Sequence, residues 1–146
     1  MNHTTQGLER FVEAQATVYH TVVAELAMGH KETHWMWFIF PQLKELGRSP
    51  MAKYFGIESM DEARAYVAHP MLGSRLVECT KFLLAQRNAN AYEILGSPDD
   101  VKFRSCMTLF SVADPKESVF KQALDNFFAG KADEATSKLL APTASK

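Results

Sequence analysis

The sequence has almost no net charge, few cysteines and no long apolar run. With 16 basic and 17 acidic residues, its formal net charge is −1. No overall basic field is available to attract nucleic acid, so nucleic-acid binding is not expected. Only two cysteines occur, Cys79 and Cys106. Both sit in apolar surroundings without CxxC spacing, which reads as two reduced, buried thiols. No HExxH or comparable ligand spacing is present, so neither a metal nor a cofactor is expected. The uncharged run from Trp35 to Pro41 is seven residues long, too short to span a bilayer. No basic amphipathic helix suggests binding at a membrane surface. The polar start, Met1 to Gln6, lacks the apolar region of a signal peptide. The expectation is a cytoplasmic protein with no membrane partner. No Ser/His/Asp order, nucleophile elbow, P-loop or GxGxxG occurs, so no reaction can be assigned.

What remains is a chain of 146 residues, 47% apolar and without repeats or linkers. That suits a single domain over 1–146, with an ordered core at about 8–140 and frayed polar ends, the last beginning at Ala141. The organising stretch runs from Lys31 to Leu43 and holds both tryptophans. Its middle must pack inside, while His34 and Gln42 mark polar edges. An aromatic slab with polar ends can be either a pocket wall or plain core.

The remaining periodicities are helical throughout. Leu8, Phe11, Val12, Tyr19, Val22, Val23 and Leu26 predict one long first helix closed by Gly29, interrupted on its apolar side only by Gln15. Pro41 ends a short helix within the slab. Ser49-Pro50, the Ser59/Glu62 capping box and His69-Pro70 start further helices, and the last of these carries Leu72, Leu76, Cys79 and Leu83 on one face. Ser97-Pro98-Asp99-Asp100 opens a helix with no charge between Arg104 and Asp114. Such a helix is buried all round, so it is placed at the centre of an all-α domain. Phe120, Ala123, Leu124, Phe127 and Phe128 form a covering helix, and Asp133 caps a last one.

Several of these segments resemble a bacterial family of all-α proteins of unknown function, sometimes labelled calpastatin. The resemblance rests on Lys31 with His34-Trp35-Met36-Trp37-Phe38-Ile39-Phe40-Pro41-Gln42 and on His69-Pro70-x-Leu72-Gly73-x-Arg75-Leu76. It continues through Asp99-Asp100-x-Lys102-x-x-Ser105-x-Met107-Thr108-Leu109-Phe110 to Phe127-Phe128-x-Gly130. It implies a compact helical fold and no activity. The label carries no mechanism, because true calpastatin is repetitive and largely disordered, whereas this chain is apolar and without repeats.

Six residues are candidate ligand contacts. His34 and Gln42 flank the slab, where an imidazole could donate to a ligand. Trp37 belongs to the slab. Arg75 shares a face with Leu72 and Cys79, so its guanidinium emerges beside the core. Lys102 and Ser105 lie three apart at the start of the central helix, where backbone amides favour anions. Asp99 and Asp100 already occupy that positive helix end, and Asp100 is spaced to pair with Arg104. His69 reads as structural, and His3, His20 and His30 as solvent residues. Two functions stay open. One is a small-ligand module, possibly an enzyme, that takes an anionic metabolite or nucleotide beside 34–42. The other is a non-enzymatic interaction or structural module whose slab is simply core.

Overall fold

The computed structural model describes residues 3–141, with side chains from residue 7 onward; the expected frayed ends at 1–2 and 142–146 lie outside them. Ten α-helices and one 3₁₀ turn make up the described chain: α1 His3–Ala16, α2 Tyr19–Ala27, α3 Met36–Ile39, the 3₁₀ turn Lys44–Leu46, α4 Pro50–Tyr54, α5 Met60–Ala68, α6 Pro70–Leu84, α7 Ala91–Leu95, α8 Asp99–Ala113, α9 Val119–Phe128 and α10 Glu134–Leu140. A lone parallel bridge between Leu43 and Ile57 is the only β pairing among the described residues. The fold is all-α, in one domain.

Helix α8 is the hub, in contact with α5, α7, α9 and α10. Ser105 through Phe110 are buried without interruption, as is Phe103. The burial is not complete around the ends, where Val101 and Val112 are 55% and 47% exposed. α8 begins at Asp99 without a side-chain cap, and Ser97 plays no capping part. The expected Asp100–Arg104 pair does not form. Asp100 accepts from the Val101 N–H, while Arg104 donates to the Lys131 carbonyl and lies over Phe128. A backbone carbonyl held at a fixed distance is a better partner than a carboxylate competing with its own helix N-terminus.

The other start signals act as their residue types require. Ser49 accepts from the Ala52 N–H and Pro50 sits in the first turn of α4. His69 Nδ1 accepts from the N–H groups of Met71 and Leu72, so this histidine is an N-cap. Asp133 caps α10 through the Thr136 N–H. The Ser59/Glu62 box is half formed. Ser59 takes the Glu62 N–H, but the buried Glu62 carboxylate turns instead to the Glu58 N–H and to Arg10.

The single long first helix of the sequence reading is two helices. The chain breaks at Thr17-Val18, two β-branched residues of low helix propensity, with Val18 at φ −121°. The break lets α1 lie against α3 and α5 while α2 lies against α6. Gln15, just before it, is buried and satisfied on both sides. Its Nε2 donates to the Phe38 carbonyl at 2.8 Å and to Tyr66 Oη at 3.3 Å, and its Oε1 accepts from Arg75.

Within the slab, Trp35, Met36, Phe38, Ile39 and Phe40 are core residues. Trp35 is 1% exposed, whereas Trp37 is only partly buried: Trp35 is the non-helical residue before α3 and Trp37 lies in the first turn of that helix. Acrylamide is therefore expected to quench Trp37 readily and Trp35 hardly at all. Single-tryptophan variants, Trp37→Phe and Trp35→Phe, would report each indole, and equal protection of both would contradict this arrangement.

Candidate functional site

The bridge at Leu43 fixes the segment after the slab. Lys44 N–H donates to the Ile57 carbonyl and Ile57 N–H to the Gln42 carbonyl, each at 2.9 Å. This clamp holds Gln42 over the start of α8. Between them opens a cleft of about 500 Å³, lined by Gln42, Arg48, Ser49, Lys102, Ser105 and Asp133 with apolar surface from Leu46, Ala52 and Val101. A smaller apolar recess adjoins it, sharing Gln42, Ala52 and Lys102 and reaching Trp37, Phe40 and Phe55. Lys102 Nζ lies 6.0 Å from the centre of the Trp37 ring, at the outer limit of a cation–π contact. No carboxylate lies within 4.0 Å of Lys102 among the described residues. Asp133 does face the cleft, but its Oδ2 already accepts from the N–H and hydroxyl of Thr136. Ser105 Oγ donates to the Val101 carbonyl at 3.4 Å, a long hydrogen bond.

Four of the six candidates, Trp37, Gln42, Lys102 and Ser105, thus meet around one cleft and its recess. His34 and Arg75 do not join them. His34 is exposed and lines neither space, because it ends the exposed 32–34 stretch just before the chain enters the core at Trp35. Arg75 is taken up elsewhere. Its Nη1 donates to Gln15 Oε1 at 3.2 Å, and its guanidinium carbon lies 4.2 Å from the centre of the Tyr19 ring. The acceptor oxygen of a buried amide and an aromatic face are near neighbours that the helix periodicity of α6 alone does not disclose.

Two groups escaped the sequence reading. Arg48 adds a second cation to the cleft; its signal was a guanidinium in the loop just before the Ser49 cap. Glu25 is a buried acid on α2. Its Oε1 accepts from the N–H groups of Glu32 and Thr33 and from Trp35 Nε1, at 2.8, 3.1 and 2.8 Å, and its Oε2 accepts the Thr33 hydroxyl at 2.6 Å. Burial by itself would raise this carboxyl. The hydrogen bonds from Thr33, Glu32 and Trp35 outweigh it and take the group down to about 2. Lys31 completes the anchor of the loop, pairing with Asp99 at 2.9 Å with both side chains largely buried. Asp99 is thereby engaged from across the fold.

The thiols offer little chemistry. Both cysteines are free and buried. Burial pushes Cys79 up to about 12 and Cys106 well above its ordinary value, so neither forms a thiolate near neutrality. No group of three or more His, Cys, Asp or Glu is placed to hold a metal ion among the described residues. No helix there is long and apolar enough to cross a membrane.

A small all-helical domain wrapped around one buried helix, with a cleft at that helix's first turns, is the class these features define. The family follows from direct comparison: residues 5–140 match the model described as protein of unknown function (DUF1810), and the chain belongs to that family. It is also similar to a solved structure, the conserved hypothetical protein Rv1873 from Mycobacterium tuberculosis. The two share 48% identity with a TM-score of 0.91, over 93% of this chain and 97% of that one. Among curated proteins none matches. The neighbour, which comes from a bacterium, supports the single-domain all-α fold, and the family is one of unknown function.

Proposed function

We propose that the protein is a small-ligand module that binds an anionic metabolite or nucleotide in the cleft beside the aromatic slab. One observation carries this reading: Lys102 is a half-buried cation with no carboxylate partner among the described residues, set on the wall of an open cleft. A cation withdrawn from water without a partner is costly, and a bound anion removes that cost. Arg48 supplies a second positive group, Gln42 and Ser105 supply neutral hydrogen bonds, and Trp37 with the apolar lining suits a ring or short carbon skeleton. Our reading includes a cytoplasmic location, which the two unpaired thiols support. It includes no general acid–base role for His34, which stands outside the cleft.

A thermal-shift screen against nucleotides and phosphorylated metabolites tests it. A ligand at about 100 times its Kd adds about 2.7 kcal/mol, a rise of several degrees for a domain of this size. Lys102→Met keeps most of the stem and deletes the charge. The variant is expected to melt where the parent does and to lose the ligand-induced rise. A variant that binds the ligand as well as the parent does would exclude the anion site. A variant that unfolds would show Lys102 to be a structural partner instead.

A further inference from the structure

A second concavity lies away from the cleft, along the outer face of α6. It measures about 730 Å³ and is open to solvent. Gly73, Ser74, Val77, Lys81 and Ala85 recur along it at helical spacing, so the groove follows about 18 Å of helix at 1.5 Å per residue. Val67, at the end of α5, forms one wall. The turn between α8 and α9, with Asp114 and Glu117, forms the other. Val77 and Phe82 are partly buried apolar residues that belong to both the core edge and the groove.

The charges of the groove are unequal. Glu78, Asp114 and Glu117 face it against a single ammonium, Lys81. None of these carboxylates has a cation within 4.0 Å among the described residues. Glu78 accepts the Tyr19 hydroxyl and Glu117 the Val119 N–H, contacts that orient the acids without neutralising them. An elongated apolar floor with an uncompensated acidic rim is complementary to a segment that is apolar on one face and basic on its flanks. Helices bind such grooves through side chains at i, i+3, i+4 and i+7, and rim charges of opposite sign select the partner and speed its arrival.

We infer that this groove is a docking surface for a basic amphipathic helix of a partner protein. The groove is remote from Lys102 and does not depend on the proposed ligand site.

The test uses the full chain and two labelled synthetic peptides with the same leucine spacing, one with lysine and one with glutamate at the flanks, followed by fluorescence anisotropy. The lysine peptide is expected to bind and the glutamate peptide not to. Asp114→Lys with Glu117→Lys should weaken the lysine peptide at least tenfold, and Lys81→Glu should tighten it severalfold. Glu9→Lys with Glu13→Lys makes the same change in net charge on the exposed face of α1 and should leave binding within about twofold. Melting temperatures establish that each variant is folded, and Asp114→Asn with Glu117→Gln gives a milder loss should the reversal not fold. Equal weakening by the α1 pair would reduce the effect to bulk charge and overturn the proposal. So would equal binding of the two peptides. A concentration-dependent dimer in sedimentation that the groove reversal abolishes would assign the surface to a second copy of this chain and overturn it as well.

Discussion

Replacing Phe110 by Ala is expected to destabilise the protein by about 3–5 kcal/mol, the range for deleting a large buried ring. Phe110 lies in the uninterrupted buried run of α8, fully shielded from water. Its ring packs against Tyr66 of α5 at 5.4 Å and Phe120 of α9 at 5.9 Å between centroids. Three helices therefore lose a common contact at once, and the hub cannot move to close the gap without opening its opposite side. Urea denaturation of parent and variant measures the loss from the shift in midpoint. A loss under about 1 kcal/mol would show that α8 is not the centre of the core.

The second large effect is expected at Glu25. Glu25→Ala removes the acceptor of four hydrogen bonds and leaves the indole N–H of the deeply buried Trp35 without a partner. Hydrogen bonds to charged groups contribute about 1.5–3 kcal/mol each in favourable cases, and an orphaned buried donor costs about 1–3 kcal/mol. Because the bonds share one carboxylate and part of the loop is exposed, a total of about 3 kcal/mol is expected. The pH dependence has a definite sign. The folded-state value, about 2, lies below the ordinary 4.5. The charged form therefore contributes its full stabilisation above 4.5, and that contribution is lost as pH falls from 4.5 toward 2. Glu25→Gln deletes the charge and keeps the shape, so the stability gap between parent and Glu25→Gln should be wide at pH 7 and narrow steadily below pH 4.5. A gap independent of pH would show that the carboxylate's charge plays no part in holding the loop.

Local signals were legible in the sequence because they act over three or four residues. Ser49-Pro50, His69-Pro70 and Asp133 each open a helix within a residue of where the sequence put it. The charge-free run of α8 disclosed its central position because burial of a helix on all sides admits few charges. The break at Thr17-Val18 was hidden because the apolar stripe continues across it; only the competing demands of α3, α5 and α6 divide the helix. Polar residues on apolar faces were the hardest to read. Glu25, Gln15 and Arg75 each find partners from distant segments, and nothing in a residue's own helix states whether such a partner exists. The same ignorance of distance led to including His34 and Arg75 with Lys102, and to passing over Arg48.

The Leu43–Ile57 bridge has a mechanical consequence for the cleft. One wall is the first turns of α8, rooted in the densest part of the core. A second is the 42–57 segment, a 3₁₀ turn and a five-residue helix tied down by the two bridge hydrogen bonds and the Ser49 cap. Short peripheral elements open at lower free energy than the centre of the core does. The cleft is thus a jaw with one side rooted in the core, and its lighter walls, the 42–57 segment and the 133–135 turn, govern its width.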